Sequence, residues 1–568
     1  MDSLYDSACG AYIYDEDVLD FLVKYDNNLA GEMQILQPDC RTIINSQFLV
    51  AYRSALDTSG APLSTDILFG LGYDRIPKCF GLMDTSALHG IGIGAVQTVP
   101  GLSLSGKDVL VGFIDTGIDF ANPLFRRADG TCRVTAIWDQ TQAAYEAGGQ
   151  NMSMQELLNL AIQTEQPYQI VPSRDTDGHG TFLASVAAGN TYLDGDDIFS
   201  GVAPESDIIM VKLKQAKQRL RDFFLIPDGV PCYSEADIIL GVKYLINKAM
   251  ELGRPLVICL GLGTSQGDHN GNLNLELYLD TVVTLPGICV VGSAGNELGT
   301  GGHFASLSTI NLGNQNGISQ PRTRTVRNEM EIYVEDENPG FCTEIWGRAP
   351  SLYQIAVYSP TGQRFDQLFP NRDSSGMITY LYEGTTLYAE SVVVENNSGD
   401  PFILLRFEKP ATGIWRIEVT ENYSSFPVGY KQGEDAWLPI RQFLGGNTRF
   451  SRPDPEVILC APANARGTIT VAGYNHLDNS LYVESSRGYT RKGRIQPDFA
   501  VGAALTAGAA ALFFEWGIVR GNYYGMNTEV IRQILIRGAR TVVDIAYPNP
   551  AWGWGVLDIS RAFEVLRG

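Results

Sequence analysis

Three short contexts in this chain hold side chains suited to moving a proton or stabilising a charge. Asp115 closes an apolar run at 109–114 in the order Ile114-Asp115-Thr116-Gly117. A carboxylate at the carboxyl end of a buried strand is where open parallel sheets build their sites. The D-T-G triplet alone is unspecific, because aspartic peptidases and ordinary strand-end turns share it. His179 stands in Asp177-Gly178-His179-Gly180-Thr181, with a glycine on each side and a helix-like stretch at 182–188 behind it. Taken singly, a histidine at a helix start reads more readily as structural. Asn296 follows the apolar run at 288–291, in Gly292-Ser293-Ala294-Gly295-Asn296-Glu297, where a side-chain amide can donate to a developing oxyanion.

The elements that must position these residues are visible in the hydropathy pattern. Between about 105 and 310, apolar runs at 109–114, 208–211, 256–260 and 288–291 alternate with helix-like segments. This predicts an α/β unit, a parallel sheet with helices on both faces. Residues 320–445 switch to short alternating strands such as 329–334 and 415–419, separated by Asn, Gly, Pro and Ser turns; that pattern predicts an inserted β-sandwich. The α/β style returns with 468–472, an Ala-rich helix and a helix at about 528–541. The expected organisation is a small α+β appendage over 1–85, the α/β unit over 86–319 and 446–568, and the insertion over 320–445, with no internal repeat.

Composition narrows the function classes. The 568 residues hold 42 Lys+Arg against 64 Asp+Glu, a net charge of −22, which repels polyphosphate. Arg487, Arg491, Lys492 and Arg494 make only a local basic patch, so nucleic acid is not an expected partner. Nine cysteines, an odd number without a C-x-x-C pair, read as reduced core thiols, with neither a zinc site nor a disulfide framework. The opening MDSLYD lacks a basic and an apolar region, so no signal peptide is expected and the compartment stays open. The stretch 500–519 carries only Glu515 as a charge; its Ala and Gly content fits a soluble core helix better than a membrane span. Asp175, Asp177 and the acidic turn at 194–197 offer oxygens of the kind calcium takes, although solvated acidic loops are the plainer reading, and neither metal nor cofactor is expected.

Taken together, the order and contexts of Asp115, His179 and Asn296 resemble those of the subtilisin-like serine peptidases. The resemblance implies that Asp115 orients the imidazole, His179 is the general base and Asn296 stabilises the tetrahedral oxyanion. Gly201-Val202-Ala203-Pro204 fits the same pattern, and Leu260, Gly261, Leu262 and Gly263 are similar to the family's substrate-binding strand. Within the family, the opening segment, the insertion and the 485–498 stretch resemble the clostridial Csp-type subtilases, spore-associated proteins involved in germination. That implies a prodomain over the first 85 residues acting as intramolecular chaperone, a jelly-roll insertion, and a spore-associated or cytoplasmic location.

One departure decides the functional expectation. The family needs a nucleophilic Ser in a G-T-S turn that opens the central helix. Here Gln496-Pro497-Asp498-Phe499-Ala500 runs straight into Val501-Gly502-Ala503-Ala504. Aligned from the helix, Ala500 takes the nucleophile position; aligned from Pro497-Asp498, it begins the turn that is missing. Neither registration gives a hydroxyl. Ser485 and Ser486 precede this element, and Thr506 falls inside the helix. The expectation is a proteolytically inactive regulatory pseudoprotease with a protein partner; the alternative is an active serine endopeptidase, acting on a protein or zymogen, whose Ser-bearing segment is absent from this sequence.

Overall fold

The computed structural model describes residues 9–26, 28–56, 70–83, 103–142, 152–194, 197–309, 323–336, 338–366, 368–424, 431–475 and 478–567. Seven strands form one parallel sheet in the spatial order Val134–Asp139, Asp207–Lys212, Leu110–Asp115, Leu256–Leu260, Ile288–Ser293, Ile469–Ala472, Phe499–Ala500. The expected α/β architecture is present. Leu110–Asp115 comes first along the chain but third in space, so the winding reverses at its carboxyl end, where α/β sheets place ligands.

The apolar runs are continuous because both faces are covered: every residue of Leu110–Asp115, Leu256–Leu260 and Ile288–Ser293 is buried. On one face Phe113, Val257 and Val291 share a core with Leu183 of helix His179–Ala188 and Ala509 of helix Ala503–Phe514. On the other, Ile114, Ile258 and Val290 meet Ile239 and Leu245 of helix Glu235–Leu252. Helix Ala503–Phe514 is buried along its whole length, which explains a segment apolar on all sides. Glu515 ends it by accepting the Ser105 and Gly106 amides at 2.8 and 2.7 Å. Among the described residues no helix is long and apolar enough to cross a membrane.

The N-terminal residues form an antiparallel sheet, Val18–Lys24, Phe48–Ser54 and Cys40–Ile43, with helix Leu29–Leu36. Leu22, Val50 and Tyr52 join the core beneath helix Glu235–Leu252. Buried Lys217 reaches into this sheet, donating to Asp20 Oδ1 at 2.7 Å and to the Tyr12 carbonyl at 2.8 Å. The reading of nine reduced cysteines needs correction: Cys9 and Cys40 are disulfide-bonded, with Cα atoms 5.7 Å apart. The antiparallel sheet brings the two together across 31 residues, a proximity that spacing alone does not reveal. The other seven are buried thiols.

Strands from His303–Thr309 to Arg449–Phe450 build two antiparallel sheets, of six and five strands, around Ile355, Leu405, Phe407, Trp415 and Ile417. Buried polar contacts fasten this sandwich to the α/β unit. Arg491 donates to the Gly347 carbonyl at 2.8 Å and pairs with Asp400, Arg348 donates to the Arg491 carbonyl at 3.2 Å, and Trp437 stacks between His269 and His303 with centroids 4.1 and 4.7 Å away. Part of the local basic patch is therefore an internal clamp.

Candidate active site

The site is built where the winding reverses. Asp115, the last residue of its strand, accepts His179 Nδ1 at 2.8 Å through Oδ1 and 3.0 Å through Oδ2. Both residues are buried. His179 opens helix His179–Ala188, and the two flanking glycines have separate reasons. Gly178 takes φ +101°, a left-handed conformation that other residues avoid. At Gly180 a Cβ would lie 2.2 Å from the Gly117 carbonyl oxygen, so only glycine lets the helix approach the strand end.

Asp175 has a role that sequence reasoning did not find. Its carboxylate accepts Thr116 Oγ1 at 2.9 Å, the Gly178 amide at 2.9 Å, and the amide and hydroxyl of Thr181 at 2.9 and 2.7 Å. Burial pushes this carboxyl up, but the donors from Thr181, Gly178 and Thr116 outweigh it and hold the group below its usual range. It pins the loop ahead of His179, with its oxygens already engaged rather than open to calcium. Among the described residues no group of three or more metal-ligating side chains is assembled; the turn at 194–197 lies partly outside them.

Beside the imidazole runs a groove, already filled. Strand Cys79–Leu82 lies between Tyr233–Ser234 and Leu262–Gly263, antiparallel to both, with Phe80 opposite Tyr233, Leu82 opposite Leu262 and Gly81 opposite Gly263. The Met83 amide donates to the Gly261 carbonyl at 2.7 Å, and its own carbonyl lies 2.9 Å from His179 Nε2. Two glycines keep one wall close to the seated strand: a Cβ on Gly261 would meet His179 Cε1 at 3.0 Å, and one on Gly263 would meet Met83 Cγ at 2.9 Å. The residues expected to form a substrate strand, Leu260 to Gly263, thus hold an extended peptide whose end reaches the histidine. A carbonyl only accepts, so a hydrogen bond to Met83 uses a proton on Nε2 while the Nδ1 proton serves Asp115. A carboxylate-held imidazole at the end of a peptide groove is placed to exchange a proton with a group on the bound chain.

Asn296 lies three residues beyond strand Ile288–Ser293, at the same edge of the sheet, half-buried. Its loop is held by the Glu297 amide donating to Ser486 Oγ at 3.0 Å and the Cys460 amide donating to the Ala294 carbonyl at 2.9 Å. Ala500 is not brought to the histidine. It is buried in the edge strand, four strand spacings from Leu110–Asp115, roughly 19 Å across the sheet. Only Val501 and Gly502 separate that strand from helix Ala503–Phe514. Ser485 Oγ accepts the Gly473 amide at 2.9 Å and Thr506 Oγ1 donates to the Gly502 carbonyl at 3.1 Å.

This architecture has known counterparts. Residues 106–323 match the family model described as the subtilase family. Two Arabidopsis thaliana proteins, subtilisin-like proteases SBT2.2 and SBT2.3, are 30% identical over 147 residues and 32% identical over 146 residues; each match covers 22% of this chain and only 17% of the plant protein. The Clostridium perfringens CspB protease superposes with a TM-score of 0.70 at 27% identity, covering 84% of this chain and 96% of that one. Residues 106–323 thus carry a subtilisin-like (S8) subtilase domain. The chain as a whole is Csp-like, resembling the CspB protease in sequence and in fold.

Proposed function

We propose that this chain is a regulatory subtilase that does not cleave peptides, with its own N-terminal segment seated in the groove. The observation that carries the reading is the connection from Phe499–Ala500 to helix Ala503–Phe514, where Val501 and Gly502 offer no hydroxyl at the point where the family places its nucleophile. Without a nucleophile, the Asp115–His179 pair has no proton to take on the acyl-transfer path. The Csp-like resemblance supports a germination-type role exerted on a protein partner. It also supports reading residues 1–85 as a prodomain that stays attached and the sandwich as a jelly-roll insertion.

A second reading is favoured by one observation, the intact pair at 2.8 Å between Asp115 and His179, with Asn296 at the same sheet edge. It makes the natural gene product an active serine endopeptidase carrying a Ser-bearing segment between Asp498 and Val501. The test is the intact mass of the protein expressed from its native gene, with and without a fluorophosphonate probe. A mass near 62.1 kDa with no adduct supports the regulatory reading. Division into a small N-terminal piece and a larger fragment that gains one adduct establishes the second.

A further inference from the structure

At the amino-terminal edge of the sheet, opposite the Asp115–His179 pair, lies an open cleft of about 750 Å³. Lys107, Arg126, Arg127, Arg133 and Arg254 line it, together with the carboxylates Asp108, Glu205 and Asp207. Five cations gathered in one cleft are unexpected in a chain of net charge −22. The strands between cleft and dyad are six residues long or less, so the two sites stand about 20 Å apart.

The carboxylates do not neutralise these cations evenly. Asp207 is spent on two of them, pairing with Arg127 through Oδ1 and with Arg254 Nη1 at 2.6 Å through Oδ2. Glu205 accepts the Ser105 hydroxyl at 2.8 Å, and Asp108 is exposed. Arg133 is 2% exposed, yet among the described residues its guanidinium bonds only to carbonyls, of Ser206 at 2.6 Å, Leu124 at 2.7 Å and Ala188. Among the described residues, the Nε groups of Arg133 and Arg126 are buried without a partner. Burial, only partly offset by the nearby Asp207 charge, draws Arg133 down to about 10. A buried, under-compensated guanidinium is expensive in the empty protein, and a doubly charged oxygen ligand is the chemistry that relieves it.

We propose that this cleft binds a small oxyanion carrying two or more negative charges, a phosphate or a polycarboxylate, recognised by Lys107, Arg126 and Arg133. The site is separate from the peptide groove and does not depend on whether the chain hydrolyses peptides. Arg133 holds the Ala188 carbonyl at the far end of the helix that begins with His179, so an occupant bonded to Arg133 is linked to the dyad's own helix through that side chain.

The test is thermal unfolding and calorimetric titration of the full chain with inorganic phosphate and, separately, citrate, against sodium chloride at equal ionic strength. The expected result is a saturable rise in the unfolding midpoint with at least one anion, and at least a fivefold weaker apparent affinity in Lys107→Glu, a substitution at an exposed position. Arg126→Gln should weaken binding similarly. The phosphate and citrate arms separate the two ligand sources. A response no larger than that of chloride, or one undiminished in both variants, overturns the proposal.

Discussion

The Met83 carbonyl oxygen and His179 Nε2 face each other at 2.9 Å across 96 residues of chain. The Met83 amide is fixed on the other side by Gly261 at 2.7 Å, so the segment is held as a strand rather than merely lying near the site. A Cβ on Gly81 would meet Gln442 Nε2 at 1.8 Å and Ile440 Cδ1 at 2.7 Å. Gly81→Val should therefore weaken docking by about 1–3 kcal/mol, roughly a ten- to hundredfold faster amide exchange at Met83. Exchange at Ile258 and Val290 should not change. Unaltered exchange at Met83 would show that the groove does not hold this strand tightly.

Lys217 should behave as the main electrostatic fastener of the N-terminal sheet. Burial raises the Asp20 carboxyl, and the Lys217 ammonium is the largest influence opposing that rise. Lys217→Met leaves this carboxylate without its bonded partner and should cost about 3–5 kcal/mol. Lys217→Met with Asp20→Asn should recover most of the loss. Urea unfolding of the three variants checks both statements.

Reduction should loosen the same region by a different route. The Cys9–Cys40 bond closes a loop across 31 residues, for which chain entropy gives about 3–4 kcal/mol. Cys40→Ser should speed amide exchange in strand Phe48–Ser54 while leaving the seven-stranded sheet protected. Equal protection in both proteins would rule out the disulfide as a local fastener.

Glu276 gives a pH signature. Burial first, and the nearby Asp268 charge second, push its carboxyl up to about 8, and Oε1 is buried without a partner among the described residues. The folded state thus holds a proton that the unfolded chain releases near the usual carboxylate range. Its contribution is fully present below that range and is lost as pH rises toward 8, a change on the order of a few kcal/mol. The wild-type midpoint should fall between pH 5 and pH 8 by more than that of Glu276→Gln. Parallel profiles would contradict the assignment.

Much of this molecule was legible from patterning, and the exceptions share a cause. The runs at 109–114, 208–211, 256–260 and 288–291 announce their strands because both faces of the sheet are covered. Asp115 and His179 are found together because each ends or begins a strong element. Strand Val134–Asp139 escaped notice: it lies at the sheet's edge, with an irregular register between Val134 and Ala136. Cys79–Leu82 carries no period of its own, since the groove alone makes it a strand. Asp175 read as a solvated acid because only the fold turns Gly178 and Thr181 back onto it beside distant Thr116, and Arg491 as part of a local basic patch because its partner Asp400 lies 91 residues away.

The burial of Arg491 also determines how the sandwich responds to its surroundings. Its side chain is 0% exposed and that of its partner Asp400 is 5% exposed, so mobile ions have little access to the space between them. Screening acts on charges that solvent reaches. Raising the ionic strength will therefore leave this junction largely intact while weakening surface pairs such as Arg364 with Asp366. Separating the two bodies calls for an agent that dissolves the backbone carbonyls and the ring stack along with the ion pairs, and the sandwich turns with the sheet it is bolted to until that point is reached.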